Sequence, residues 1–282
     1  MTARRFSQLD VFSAQALRGN PLAVVHDATG LGDAEMAAFA RWTNLSETTF
    51  LLPPSDDAAA AGADYRVRIF TPGGELPFAG HPTLGSCAAW LAAGGSPRTP
   101  GVVVQQCGVG LVRVRRDGTR LAFAAPPLRR TGEVEPGLRR LVATALRLPD
   151  DSIRRLVWVD NGPGWMAALL PDAATVLALQ PDFAAMQSLK LGVVGPHAAG
   201  GECAFEVRAF VPALAVPEDP VTGSLNAGLA QWLIGEGLAP ERYVAAQGAA
   251  LGRAGRVHVA RDGADIWIGG DVATVVQGQV SL

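Results

Sequence analysis

Lysine is almost missing from this chain. Of its 24 basic residues, Lys190 is the only lysine and the rest are arginine. Any lysine-imine mechanism would rest on that one side chain, which argues against a pyridoxal phosphate enzyme. Cysteine is scarce too: Cys87, Cys107 and Cys203 are odd in number and form no CxxC pair. A disulfide framework or a cysteine zinc site is not expected, and a reducing compartment fits better. The net charge of −2 and pI of about 6.1 leave no basic surplus for holding nucleic acid. No apolar run approaches the ~20 residues of a membrane helix. Met1-Thr2-Ala3-Arg4-Arg5-Phe6 turns polar before any long apolar stretch, so it is a poor signal peptide. There is no GxxxxGK(S/T) loop, no usable GxGxxG after a strand, no HExxH and no GxSxG elbow. The expectation is no nucleotide, flavin, metal or other cofactor, and no nucleic-acid or membrane partner.

What is present suffices for a folded protein. Hydrophobic residues make up 49% and charged residues 18% of 282 residues, which excludes a largely disordered chain. That length suits one large domain or two smaller ones. A soluble, cytoplasmic, globular protein is expected.

Patterning predicts strands at Gln8–Phe12, Leu22–Val25, Thr48–Leu52 and Tyr65–Phe70, with Asp33 capping a helix that runs to about Trp42. Residues 55–63 read as a loop and Gly80 to Ala93 as a helix. Residues 101–125 read as two strands with a turn at Asp117-Gly118. Pro126-Pro127 is the candidate break, giving halves 1–126 and 127–282, with the last strand free to return to the first half. Beyond it, helical stretches are expected near Pro136–Leu146, Pro171–Leu179, Pro181–Leu189 and Ser224–Glu236, with strands at 155–159, 166–170, 191–194, 204–211 and within 243–282.

An internal repeat organises this pattern. Arg68-Ile69-Phe70-Thr71-Pro72 matches Arg208-Ala209-Phe210-Val211-Pro212 as R-x-F-x-P. Each copy follows an alternating strand and precedes a glycine that opens a helix, Gly80 or Gly223. Gly85 and Gly228 follow five residues later, then Trp90-Leu91 and Trp232-Leu233. The fold class expected is a duplicated α+β architecture: two pseudo-symmetric halves, each a curved, mostly antiparallel sheet around one main helix.

The two helix starts are the natural place for chemistry. Free N–H groups and a partial positive charge favour anions there, and glycine lets a ligand come close. Pro82 suits the first helical turn, and Ser224 is a natural N-cap. Taken singly, each is an ordinary capped helix. As a pair facing one another, they would make a cleft for a small carboxylate. His81 stands at the first start, either structural or able to move a proton. Asp219, before Pro220, is a turn aspartate or a site residue. Glu47, in Asn44-Leu45-Ser46-Glu47-Thr48-Thr49-Phe50, is a solvated acid or a general base whose pKa an apolar wall would raise.

With these segments in view the chain resembles the PhzF-like family, named for the phenazine-biosynthesis isomerase and related in fold to diaminopimelate epimerase. The matching pieces are Gly19-Asn20-Pro21, the Asn44–Phe50 stretch, Arg68–Pro72, Glu75-Leu76-Pro77-Phe78-Ala79-Gly80-His81-Pro82, Glu218-Asp219-Pro220-Val221-Thr222-Gly223-Ser224 and Gly252-Arg253. The resemblance implies two barrel-like halves with the active site between them, Glu47 as acid/base, and His81 and Asp219 lining the pocket. It implies Ser46, Gly80, Thr222, Gly223 and Ser224 as substrate-binding residues. It also implies a homodimer that works without a cofactor. The epimerase relative uses two cysteines, whose positions correspond here to Ala79 and Thr222. Neither is a thiol, so two-base stereoinversion by that route is not expected. Leu225-Asn226 and the bare Thr71-Pro72-Gly73-Gly74 loop depart from many relatives and bear on pocket shape.

The leading expectation is a cofactor-independent isomerase. It would move a proton on a small unsaturated or carbonyl-bearing carboxylic acid. The rivals are a non-enzymatic carboxylate-binding protein on the same fold, and an epimerase or racemase with other bases.

Overall fold

The computed structural model describes residues 2–186, 189–214 and 216–282. The chain forms two compact units. One comprises Met1–Ala124 with Gly269–Leu282, and the other Ala125–Ile268. The break thus falls two residues before Pro126, and the chain's final segment belongs to the first unit.

In the N-terminal unit the elements run β1 (Ala3–Val11), β2 (Asn20–Val25), α1 (Asp33–Thr43), β3 (Glu47–Leu52), α2 (Asp56–Ala60), β4 (Tyr65–Thr71), β5 (Gly74–Leu76), α3 (Gly80–Ala92), β6 (Val102–Cys107), β7 (Gly110–Asp117) and β8 (Arg120–Ala124). The C-terminal unit carries β9 (Arg130–Glu133), α4 (Pro136–Leu146), β10 (Arg155–Asp160), β11 (Met166–Leu169), α5 (Ala173–Ala178), α6 (Phe183–Met186), β12 (Leu191–Pro196), β13 (Phe205–Val211), β14 (Val216–Asp219), α7 (Gly223–Gly235), β15 (Arg242–Gln247) and β16 (Gly255–Asp262). Then come β17 (Asp265–Gly270) and β18 (Val272–Ser281).

Both units use one pairing scheme. β1 and β2 form a hairpin, β2 runs parallel to β3, and β4 pairs antiparallel with β3 and β5 and parallel with β6, which returns to β7. β10, β11, β12, β13, β14, β15 and β16 repeat every one of those relations in order. A last strand from elsewhere in the chain closes each ladder. β18 lies antiparallel to β1, and β9, which follows β8 in the chain, lies antiparallel to β10.

One helix fills each curved sheet. α3 packs against β1, β2, β3, β6, β7 and β8. It is buried over nearly its whole circumference, as an interior helix must be. Gly85 lets it lie against Val11 and Leu22. In α7, also buried almost throughout, Gly228 lies against the Val159 carbonyl. Outer helices cover the other faces: α1 over Val25, Phe50 and Phe70, and α4 over Leu156, Ala168 and Val193. Among the described residues no helix is long and apolar enough to cross a membrane.

Several local expectations need correction. Residues 55–63 contain a short helix, because Ser55 precedes Asp56 and Asp57, acids that suit a first turn. Residues 101–125 form three strands, since the chain also turns at Gly108-Val109, with Gly110 at φ 104°. The cap of α1 is Gly32, whose N–H donates to Glu35 Oε2 at 2.9 Å, and Asp33 is the first helical residue. The cap of α7 is Thr222, and Ser224 lies inside the first turn.

Candidate active site

In the N-terminal unit three segments bring one acid and one imidazole together. α1 ends on Asn44 in the left-handed region (φ 54°), which asparagine tolerates. The chain then turns through Leu45-Ser46 into β3. Parallel pairing sets Glu47 opposite Leu22, just past Asn20-Pro21. Behind it, Thr48 and Thr49 are fully buried, with hydroxyls bonded to Thr43 and Ser86. Thus β3 places Glu47 at the rim of a packed strand.

His81 is the second residue of α3 and is 3% exposed. Its Nδ1 lies 3.3 Å from Asn20 Nδ2, and its Nε2 lies 3.3 Å from Glu47 Oε2. The two side chains touch without hydrogen-bonding alignment. Burial pushes the His81 pKa down to about 3, against a hydrogen bond to the Pro21 carbonyl that works to raise it. The ring is therefore neutral near pH 7, and this contact is imidazole against carboxyl, not an ion pair. The carboxyl itself is 15% exposed, so it is sheltered yet reachable.

A buried chain of hydrogen bonds holds the start of α3. Tyr65 OH donates to Gln105 Oε1 at 2.8 Å and Gln105 Nε2 donates to Thr83 Oγ1 at 3.1 Å. Thr83 Oγ1 donates to the Ala79 carbonyl at 2.9 Å. Ala79 is the cap residue and supplies no side-chain acceptor. The first-turn N–H groups of Gly80 and His81 therefore have no cap acceptor from that side chain.

The C-terminal unit builds a different start on the same plan. Asp219 ends β14, and its Oδ2 accepts from Thr222 Oγ1 at 2.6 Å. Gln247 joins them: its Nε2 donates to Thr222 Oγ1 (2.9 Å) and the Asp219 carbonyl (3.1 Å). Its Oε1 accepts from Thr222 N (3.0 Å) and Asn226 Nδ2 (2.9 Å). Ser224, expected to touch substrate, has its Oγ accepting from Trp165 Nε1 at 3.0 Å, and its carbonyl accepting from Asn161 Nδ2 at 2.8 Å. Gly223 opens the helix directly after Thr222.

The structure thus joins Glu47 to His81, and Asp219 to Thr222, each pair within its own unit. Ser46 is half-buried next to Glu47 in the chain. Ala79 and Thr222 occupy the two cap positions. Sequence reading missed Gln105, Gln247, Asn161 and Trp165. A signal existed: Gln105 and Gln247 stand 25 and 24 residues after Gly80 and Gly223, each near the end of the strand that follows the helix. Among the described residues no cluster of three or more His, Cys, Asp or Glu is placed to hold a metal ion.

A sheet wrapped around a helix and used twice is the epimerase-like fold. A solved hydroxyproline epimerase from Agrobacterium vitis shares it, with a TM-score of 0.60 at 15% identity over 99% of this chain and 93% of its own. Within that class the chain belongs to the PhzC–PhzF, phenazine biosynthesis-like protein family, whose model matches residues 9–278. It is 33% identical over 285 residues to the trans-2,3-dihydro-3-hydroxyanthranilate isomerase of Pseudomonas aeruginosa, covering 99% of both chains. It is 36% identical over 298 residues to antisense-enhancing sequence 1 of Schizosaccharomyces pombe, again covering 99% of each. A solved PhzF-family protein from Enterococcus faecalis superposes with a TM-score of 0.82 at 25% identity over 100% of both chains. The chain is an isomerase of this family.

Proposed function

We propose that this isomerase moves a proton within a small unsaturated or carbonyl-bearing carboxylic acid, with Glu47 as acid/base. The observation that carries the reading is the sheltered Glu47 carboxyl, 3.3 Å from a buried imidazole at the start of α3. Glu47 takes the proton from carbon and returns it at another carbon of the conjugated system, so the reaction has no net redox change. His81, neutral and 3.3 Å from the Glu47 carboxyl, orients the acid or the substrate. The first-turn N–H groups of Gly80 and His81 offset negative charge that develops as the proton leaves. Ser46 lies beside the base as a substrate contact.

Asp219, whose Oδ2 accepts from Thr222, is proposed as a second reacting or orienting group. Thr222, Gly223 and Ser224 form its helix start. General acid–base catalysis contributes about 10²–10⁴-fold, so positioning and electrostatics must supply the rest.

Exchange of substrate C–H with deuterated solvent tests the reading. The first acid to try is trans-2,3-dihydro-3-hydroxyanthranilate, named for the Pseudomonas aeruginosa relative, followed by other small unsaturated carboxylates. Glu47-dependent exchange or isomerisation is expected. Turnover that survives Glu47→Gln but is lost in Asp219→Asn would move the base to Asp219.

A further inference from the structure

The buried glutamine beside the start of α7 has a task that the proposed reaction leaves unassigned. Gln247, the last residue of β15, is 1% exposed, and both polar atoms of its side chain are engaged. Oε1 accepts from Thr222 N at 3.0 Å and from Asn226 Nδ2 at 2.9 Å. Nε2 donates to the Asp219 carbonyl at 3.1 Å and to Thr222 Oγ1 at 2.9 Å. The backbone fixes which end of the amide is which, because an N–H only donates and a carbonyl only accepts. Turned over, the amide would set its NH₂ against Thr222 N and its oxygen against the Asp219 carbonyl.

That orientation decides where one proton lies. Thr222 Oγ1 receives a hydrogen from Gln247, so it accepts there, and a hydroxyl has a single hydrogen of its own to give. Its other bonded neighbour is Asp219 Oδ2, 2.6 Å away. The Thr222 hydrogen therefore points at the carboxylate, at a distance typical of a charge-assisted O–H···O bond. Thr222 is also the cap residue of α7, where a threonine oxygen ordinarily accepts from the N–H groups of its own helix. Here it makes no such bond, and the hydroxyl is given over to Asp219 instead.

The N-terminal unit contains the same device with a different target. Gln105 Oε1 accepts from Tyr65 OH, and its Nε2 donates to Thr83 Oγ1, whose hydrogen goes to the Ala79 carbonyl. In both units a buried amide turns a threonine hydroxyl into a donor toward what lies beyond it. In the N-terminal unit that is a backbone carbonyl; in the C-terminal unit it is a group that can carry a proton.

We propose that Gln247 is a positioning residue, which directs the Thr222 hydrogen onto Asp219 Oδ2 and so confines any proton that Asp219 takes up or gives away to Oδ1. A proton on Oδ2 would leave the Thr222 hydrogen between two donors, without an acceptor. The inference rests on Asp219 acting in the proposed reaction, but its effect on Asp219 is readable without a substrate.

Carbon-13 NMR of the Asp219 carboxyl in the full chain, assigned with Asp219→Asn, gives the pH at which it titrates. Thr222→Val removes a bond to the charged form, so the midpoint should rise by about one pH unit, the ten-fold worth of one charge-assisted hydrogen bond. Thr222→Ser keeps the hydroxyl and should titrate like the wild type. Gln247→Met, uncharged and similar in length, lets the hydroxyl rotate away and should raise the midpoint by about half a unit or more. In the Thr222→Val background the same change should add nothing, since both act through one bond. With trans-2,3-dihydro-3-hydroxyanthranilate as the probe, Gln247→Met should lower kcat about three-fold or more with KM nearly unchanged. An unchanged midpoint in Gln247→Met overturns the proposal, as does an equal rise with and without the Thr222 hydroxyl. Full turnover in Gln247→Met alongside a loss in Asp219→Asn also overturns it. Neutron diffraction from the deuterated wild type decides the matter if Gln247→Met does not fold. A deuteron on Thr222 Oγ1 aimed at Asp219 Oδ2 is expected; a deuteron on Oδ2, or a Thr222 deuteron aimed elsewhere, overturns the proposal. If Asp219→Asn leaves turnover intact, the catalytic reading of Asp219 falls, while the midpoints and the neutron map still decide what Gln247 does to it.

Discussion

The R-x-F-x-P strand occurs once in each half, and its arginine meets a glutamate both times. Arg68 holds Glu75 through two nitrogens, and Arg208 holds Glu218 in the same fork. The surroundings differ. In the first pair the side chains are 15% and 42% exposed, and Arg68 also reaches Asp33. In the second pair both are 6% exposed, and Arg208 also donates to the carbonyls of Val176 and Leu179. The cause is the outer layer: α5 packs on β12 and β13, and its last carbonyls meet the arginine. Duplicated residues thus keep their partners while neighbours brought in by loops decide what the contact is worth.

The helix starts differ in a parallel way. In the N-terminal unit a carboxyl meets a neutral imidazole at the start of α3. In the C-terminal unit Asp219 is fixed by a threonine whose hydroxyl Gln247 also contacts. The first sets a carboxyl against a neutral ring; the second ties a carboxylate to a hydroxyl.

The largest contrast expected is in stability. Glu218→Gln leaves the Arg208 cation buried without the charge of its glutamate partner and should cost about 3–5 kcal/mol in urea unfolding. Glu75→Gln should cost no more than about 1 kcal/mol, because water screens the pair. Equal losses would show that burial does not separate the two forks.

Next comes chemistry. Glu47→Gln should reduce turnover at least about 10²-fold with ligand affinity nearly kept, because the amide is almost isosteric and cannot take a proton from carbon. Asp219→Asn should lose less, since an amide can still accept from Thr222. The reverse order would exchange the roles of the two units.

A smaller difference is expected at the helix glycines. Gly228→Ala would push a methyl into the Val159 carbonyl oxygen, a backbone atom that cannot step aside. Gly85→Ala meets the ends of the Leu22 and Val11 side chains, which can move. Melting curves should show a loss of about 3 kcal/mol for Gly228→Ala and about 1 kcal/mol for Gly85→Ala.

Acid supplies the mildest test. Burial, then the Arg5 charge, lowers the His26 pKa to about 4, and burial lowers that of His81 to about 3, from 6.5. The unfolded chain takes up protons below pH 6.5 while the folded N-terminal unit does not, so stability falls from there toward pH 3. Glu206 has the opposite sign: its raised pKa makes the folded C-terminal unit the better proton acceptor just above the ordinary carboxyl range. Hydrogen exchange between pH 7 and 4 should show the N-terminal unit loosening first, with a shallower dependence in His26→Gln. Faster loosening of the C-terminal unit would contradict these shifts.

Much of this was legible in the residues. The repeated R-x-F-x-P, the glycine-led helices and the alternating strands describe local geometry, and local geometry is what period and turn chemistry encode. The repeat located β4 and β13, and glycine spacing located α3 and α7. Ser55-Asp56-Asp57 was misread because a helix of five residues has too little period to register. His197 looked ordinary, yet the fold sets it 3.1 Å from buried Glu206 and beside a cavity. Gln105 and Gln247 showed their shared spacing only once their partners were known.

By itself the sequence determined the duplication, the order of strands and helices, the family, and which residues stand at each helix start. These depend on neighbours within a few positions or on whole-chain likeness. Tertiary structure alone decided that Glu47 meets His81, that Gln247 closes on Asp219 and Thr222, and that Glu206 is buried with one oxygen unpaired. It also decided that β18 closes on β1 and β9 on β10. Each of those contacts joins residues far apart in the chain. Their register and burial follow from how sheets curve around helices, which no local pattern of residues encodes.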